Sequence, residues 1–272
     1  MMTWHYSGSG NAMVIIDCRQ HSAKLSPRVI EALCDRHVLG LPLAEGVLAV
    51  REVQHSLIVA DFYNPDGSTG PMCGNGGRTL AAWMVDSGLE QPSTQLTLNV
   101  SGIRYPAHCP LPNQAEIVFP TPTATEKYPA GTLDGVPYDV WYVDVGSDHA
   151  VVFDVSESFD PRVLRHHAAF PRGVNVNMAR ITSPSAITLT TFERGVERVT
   201  GACGTGAIST AVVALLNGSA TSPVTITPPS GQQLIVAQTS HPAGGNGFSL
   251  CGPTTIDHAP VEFSLDSLFY VV

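Results

Sequence analysis

Two short stretches, CGNGG at residues 73–77 and CGTGA at residues 203–207, each set a cysteine ahead of glycines and run straight into apolar sequence of helical character (TLAAWMV and ISTAVVALL). They stand 130 positions apart, and the likeness continues past them. LTLNVSGIRYPA follows the first, and VTITPPSGQQLIVA follows the second at a similar distance. Each of these reads as a strand, a Ser-Gly turn and another strand. The chain therefore carries two copies of one unit: strands, a glycine turn bearing cysteine, a helix and a hairpin. At 272 residues it is long for one domain and comfortable for two of ~100–150 residues. The expected organisation is an N-terminal domain over residues 1–119 and a C-terminal domain over 120–257, related by internal duplication. The boundary lies near VFPTPTATEKYPAGT, where prolines and small polar residues cluster.

Other elements read locally. SPRVIEALCDRH has Ser at an N-cap, Pro at the first helical position and apolar residues at helical spacing, so it is expected to be a helix. VLAVREV, SLIVADFY, VWYVDVG and AITLTTFE read as strands. Many short strands with Pro-rich connections favour an α+β class over a doubly wound parallel sheet. A net charge of −9, with fourteen Lys and Arg in no cluster, argues against nucleic acid, which needs a basic face. No apolar run approaches the ~20 residues of a membrane span, and the start lacks the pattern of a signal peptide. A cytoplasmic protein without membrane partners is the expectation. Six cysteines form no CxxC pair, and ten histidines include no HExxH, so no metal is expected. Cys18, Cys34, Cys109 and Cys251 read as small buried hydrophobes.

Cys73 and Cys203 read differently. Bare glycine amides at a helix start make an anion site, and the same field favours a thiolate placed there. Each turn thus pairs a carboxylate cradle with an acid/base group. If the two halves pack through pseudo-twofold symmetry, two thiols would flank one bound molecule. Racemisation needs that arrangement, because one group removes a Cα proton while another delivers a proton to the opposite face. Helix N-termini aimed at the carboxylate give electrostatic help without a cofactor.

The same residues resemble the diaminopimelate epimerase family over nearly the whole chain. SGSGNAMVIID resembles its opening Gly-x-Gly-Asn and strand; NPDGSTGPMCGNGGR and FERGVERVTGACGTGA resemble its two cysteine motifs. VGSDHAV, FPRGVNVNMARI and FSLCGPTTI resemble three further segments. The resemblance implies two pseudo-symmetric domains, each a curved mixed sheet around a central helix, with the active site in the cleft between them. It also implies a tail of about residues 258–272 returning to the first domain, and a homodimer. It assigns the thiol acid/base pair to Cys73 and Cys203, and carboxylate binding to the amides of Gly74, Asn75, Gly204 and Thr205. Asn11, Asn64, Asn175 and Arg194 would contact substrate, Glu193 would bind an ammonium and assist Cys203, and His149 would assist Cys73. The implied reaction is cofactor-independent conversion of LL-diaminopimelate to the meso form, in lysine and peptidoglycan precursor synthesis.

The chain departs from the family pattern at three places. Ser147 stands where the family has Asn, followed by Asp148 instead of Pro, so a contact to a distal carboxylate is shortened and repulsion added if Asp148 points inward. One extra residue separates Glu193 from Cys203, and Ala12-Met13 replaces an acidic–aromatic pair. A racemase acting on histidine or another basic amino acid is therefore a second reading. A third is a non-catalytic module that binds an anion or amino acid. Asn11 and Asn64 also suit turns in which Asn bonds its own backbone.

Overall fold

The computed structural model describes residues 1–21, 24–35, 43–70, 72–241 and 244–264. The chain divides into two compact units: Met1–Ile117 together with the segment from Gly252 onward, and Val118–Cys251. Strands dominate both, in the α+β class expected.

The first unit contains β1 (Met2–Gly8), β2 (Asn11–Asp17), helix α1 (Pro27–Cys34), β3 (Val47–Gln54), β4 (Leu57–Tyr63), helix α2 (Gly74–Asp86), β5 (Leu96–Val100), β6 (Ile103–Leu111) and the first four residues of β7 (Gln114–Pro120). Pairing is antiparallel for β1–β2, β3–β4, β5–β6 and β6–β7, and parallel for β2–β3 and β4–β5. Parallel neighbours need a crossover, and α1 and α2 supply the two. Helix α1 has Ser26 at its N-cap and Pro27 directly after it, and it buries Val29, Ile30, Leu33 and Cys34 on one face. Arg36 and His37, the end of the expected helix, lie outside the described residues. Helix α2 is buried at every residue from Gly74 to Met84, and only its last turn reaches the surface. Strands β1, β2, β5 and β6 pack around it, and Trp83 meets Trp4 edge to face at 5.3 Å.

The second unit contains β8 (Ala124–Tyr128), β9 (Val140–Asp144), β10 (Asp148–Phe153), the short helix α3 (Arg162–Arg165), β11 (Asn175–Ser183), β12 (Ala186–Glu193), β13 (Arg198–Val199), helix α4 (Gly204–Leu216), β14 (Val224–Thr227) and β15 (Leu234–Ser240). Pairing is antiparallel for β8–β9, β9–β10, β11–β12 and β14–β15, and parallel for β10–β11 and β12–β14. Helix α4 is buried from Gly204 to Ala214, enclosed by β9 to β12, β14 and β15. The run β9 to β15 thus repeats the pairing order of β1 to β6, with a largely buried helix at the same place in each.

The last strand, β16 (Asn246–Glu262), is 17 residues long. Its first part pairs with β15 and its later part, Thr254–Glu262, pairs with β1. Residues 265–272 of the expected tail lie outside the described residues.

The units divide at Ile117–Val118, where the Pro-rich stretch begins, and within it Ala124–Tyr128 forms a strand in antiparallel register with β9. Thr125, Lys127 and Tyr128 find partners there that flanking prolines hide in the sequence. Cys251 is only half-buried, whereas Cys18, Cys34 and Cys109 are buried as expected. Burial pushes the Cys34 thiol up to about 12 and the Cys18 thiol upward as well, so neither is a thiolate near neutrality.

Candidate active site

Both cysteine turns are helix N-caps. Cys73 caps α2 and Cys203 caps α4, each in extended backbone conformation. The helical ladder begins at Gly77 N–H to the Cys73 carbonyl (2.8 Å) and at Ala207 N–H to the Cys203 carbonyl (2.9 Å). The amides of Gly74 and Asn75, and of Gly204 and Thr205, therefore fall outside those ladders, at the positive end of each helix dipole. Gly206 N–H donates to Cys203 Sγ at 3.3 Å, and Thr205 Oγ1 lies 3.5 Å from the same sulfur. An amide donor and the helix field both favour negative charge on that sulfur. Cys203 is buried, whereas Cys73 is half-buried.

The glycines have separate reasons. A Cβ at Gly77 would meet Ile117 Cδ1 at 2.5 Å and Met72 Sδ at 2.9 Å, so any larger residue there must displace those side-chain tips. At Gly206 a Cβ would meet Asn177 Oδ1 at 2.5 Å and Thr191 Oγ1 at 3.0 Å. At Gly76 the nearest atom would be 3.4 Å away. Gly206→Ala is therefore expected to lower unfolding free energy by about 1–3 kcal/mol, and Gly76→Ala by much less. Urea denaturation checks the contrast, and equal losses would contradict it.

In the second unit, Asn177 and Thr191 belong to a buried hydrogen-bond chain. Thr191 Oγ1 donates to Asn177 Oδ1 (2.9 Å), which turns the Asn177 amide nitrogen toward His149 Nδ1 (2.9 Å). His149 Nε2 then donates to Ser147 Oγ (3.0 Å). His149 is fully buried, and burial holds it neutral with a pKa lowered to about 3. Thr200 Oγ1 donates to Glu193 Oε1 in a short hydrogen bond. Glu193 ends β12, and the interval to Cys203 contains the β12–β13 hairpin, in which Glu193 pairs with Arg198.

A second cluster centres on Asp148. Its Oδ1 accepts from Arg172 Nη2 and Tyr142 OH, both at 2.6 Å, and its Oδ2 accepts from Arg194 Nη1 at 3.0 Å. Burial opposes the charge, but the hydrogen bonds from Arg172 and Tyr142 and the two guanidinium charges outweigh it and hold this carboxyl below the usual range. Arg194 Nη1 also donates to the carbonyls of Arg172 and Gly173. Asn175 is tied to the same group, because its Oδ1 accepts from Arg194 N and its Nδ2 donates to the Asp148 carbonyl. A pocket of about 320 Å³, lined among others by Tyr128, Tyr142, Phe170 and Glu126, opens beside Asp148 and Arg172.

In the first unit, Asn11 begins β2, is buried, and donates through Nδ2 to Glu45 Oε2 at 2.6 Å. Asn64 sits in the turn after β4 and donates to Ser68 Oγ at 3.0 Å. Asn75 is fully buried, and its Oδ1 accepts from Arg78 Nη2 at 2.7 Å. Arg78 is itself fully buried and bonds Ser9 Oγ and the Pro253 carbonyl, which places a cation beneath the start of α2.

The family model described as diaminopimelate epimerase matches residues 3–104 and 135–246. The chain belongs to the diaminopimelate epimerase family. Membership makes it an isomerase. The diaminopimelate epimerase of Chlorobaculum tepidum is 32% identical over 242 residues, covering 85% of this chain and 90% of the relative. That of Xylella fastidiosa is 30% identical over 266 residues, covering 90% of each. The fold is also that of a probable proline racemase from Agrobacterium radiobacter (TM-score 0.68, 15% identity, 97% of this chain and 93% of that one). A PhzF-family phenazine biosynthesis protein from Bacillus anthracis is similar too (TM-score 0.70, 12% identity, 97% and 99%).

Within this family member, several neighbours of the expected residues were not singled out from sequence. Arg78, Arg172, Asn177 and Thr200 touch them directly, and Tyr142 and Thr191 do so one step removed, through Asp148 and Asn177. Arg78 left a local signal, a cation inside an apolar helical run. Asn177 and Thr191 left none, since alternation along a strand does not say which buried positions share a hydrogen bond. No group of metal-ligating side chains occurs among the described residues, and no helix there is long and apolar enough to cross a membrane.

Proposed function

We propose that the protein inverts the α-carbon of an amino acid by a two-thiol mechanism without pyridoxal phosphate. The observation carrying this reading is the equivalence of Cys73 and Cys203, each capping a helix buried over its first eleven residues, whose first amides lie outside the ladder. In the proposed cycle the amides of Gly74, Asn75, Gly204 and Thr205 hold the α-carboxylate and stabilise charge as the α-proton leaves. One cysteine, as thiolate, takes that proton, and the other, as thiol, delivers its own to the opposite face. The thiolate and thiol then stand exchanged, ready for the reverse direction. The mechanism requires the two sulfurs to address opposite faces of one carbon. Glu193 binds the α-ammonium. His149, neutral and bonded at both nitrogens, is a positioning residue whose chain ends against Gly206.

Two substrates suit this chemistry. Family membership supports LL-diaminopimelate, converted to the meso form, with Asn11, Asn64, Asn175 and Arg194 at its distal end. The engagement of Arg194 and Asn175 by Asp148 favours another amino acid, such as histidine or a second basic one. A cytoplasmic homodimer goes with either, and sedimentation tests the dimer.

The reaction is tested by incubating the reduced protein in D2O with LL-diaminopimelate, L-histidine, L-lysine and L-glutamate. Deuterium at Cα with loss of chirality in at least one is expected. Binding without any α-deuterium would replace this reading with that of a binding module.

A further inference from the structure

The strongest unexplained feature is the state of Arg194. Its guanidinium is already paired with a carboxylate of the chain itself, and its Nη1 also serves two backbone carbonyls. Asn175, beside it, spends its carbonyl oxygen on Arg194 N and an amide hydrogen on the Asp148 carbonyl. Asp148 lies at the first position of β10, where the parallel register with β11 sets His149 against Asn175. Its side chain is 9% exposed and that of Arg194 31%, so this pair is partly shielded from water, while the Arg172 partner on its other oxygen is 69% exposed.

We infer that Asp148 is a specificity residue: an internal carboxylate that takes the place at Arg194 where a substrate's distal carboxylate would bind. The substrate class then consists of amino acids whose distal end carries no carboxylate. The inference rests on the two-thiol reading above. Its physical basis is a like-charge conflict. A ligand carboxylate arriving at Arg194 meets a guanidinium whose Nη1 already serves Asp148 Oδ2 and two backbone carbonyls, with that carboxylate held 3.0 Å from it, and two carboxylates sharing one site repel. Such a built-in repulsive element discriminates between ligands that are otherwise alike. The alternative role, in which Asp148 only aims Arg194 at a substrate carboxylate, predicts the opposite preference.

L-Lysine and LL-diaminopimelate form a matched pair, since the second is the first with a carboxylate added on the terminal carbon. Both are followed by α-deuteration in D2O, and the reading is the ratio of kcat/KM for diaminopimelate to that for lysine. The wild-type ratio is expected to be one or below, and a ratio above one overturns the inference. In Asp148→Asn, which keeps an acceptor for Tyr142 but removes the charge, the ratio is expected to rise on the order of tenfold or more. A rise below roughly threefold also overturns it. The wild-type comparison needs no variant, so it decides the matter even if D148N fails to fold. Failure of the underlying reading looks different: no α-deuterium in any amino acid removes the two-thiol mechanism, and the inference with it.

Discussion

Replacing Cys73 or Cys203 singly by alanine should abolish inversion while leaving the two variants as mirror images of each other. Each loss is expected to lower kcat for racemisation by a factor on the order of 10²–10⁴, the range for removal of a positioned acid or base. The helix ladders start from the cysteine carbonyls, not the sulfurs, with Gly77 N–H on Cys73 O and Ala207 N–H on Cys203 O. The protein should therefore fold, and far-ultraviolet circular dichroism checks that it does. What remains in each variant is one thiol on one face. That thiol can still remove a proton and return deuterium to the same face. Cys73→Ala should exchange one enantiomer without inverting it, and Cys203→Ala should exchange the other. Wild-type inversion in either variant would remove the two-thiol mechanism. Exchange of the same enantiomer by both would place the two sulfurs on one side of the carbon.

Acid should destabilise the protein in a window set by His149. Burial lowers its pKa from 6.5 to about 3, offset only in part by the Asn177 hydrogen bond and the Asp148 charge. Between those values the unfolded chain holds a proton on this ring that the folded chain does not. Stability is then full above the unfolded value and falls as pH drops through 6.5, by up to about 1.4 kcal/mol per unit. Asp148 has a lowered pKa too, but its ordinary value is 3.8, so its loss comes at more acid pH. The interval from pH 6.5 to 4.5 thus isolates the histidine from that carboxylate. His149→Gln should flatten the slope there, read as unfolding free energy in urea at several pH values. A slope unchanged by the substitution would mean that the imidazole is not held neutral.

Local chemistry was legible in the sequence wherever it is set by neighbours along the chain. The two Cys-Gly turns, the helices behind them and the hairpins after them follow from glycine, alternation and turn residues, and AITLTTFE matches strand β12 residue for residue. Ser26 and Pro27 marked the start of α1 for the same reason. What escaped depends on partners distant in sequence. Asp148 raised only the question of which way its side chain points. The answer needs Arg172 and Arg194, 24 and 46 residues away, and the carbonyl of a glycine between them. The buried state of His149 likewise depends on Asn177, two residues beyond its register partner Asn175 in β11. Strand β8 was hidden by prolines on both sides of a polar five-residue segment that only its pairing with β9 makes a strand.

Strand β16 gives the chain an order of assembly. Thr254–Glu262 pairs with β1, and Phe263 N–H closes onto the Met1 carbonyl at 2.7 Å. The segments 1–8 and 254–263, far apart in sequence, are thus joined in one ladder, while Val118–Cys251 is a single continuous piece. During synthesis the later unit can complete its strands first, and the earlier one must wait until Thr254–Glu262 has been made. Until then β1 presents an unpaired edge carrying Thr3 and His5, both nearly inaccessible in the finished fold. An open edge invites pairing with other chains. The newborn protein is consequently most exposed to aggregation in the interval just before Thr254–Glu262 arrives, and a ribosome that stops short of Thr254 releases a chain that cannot close that edge.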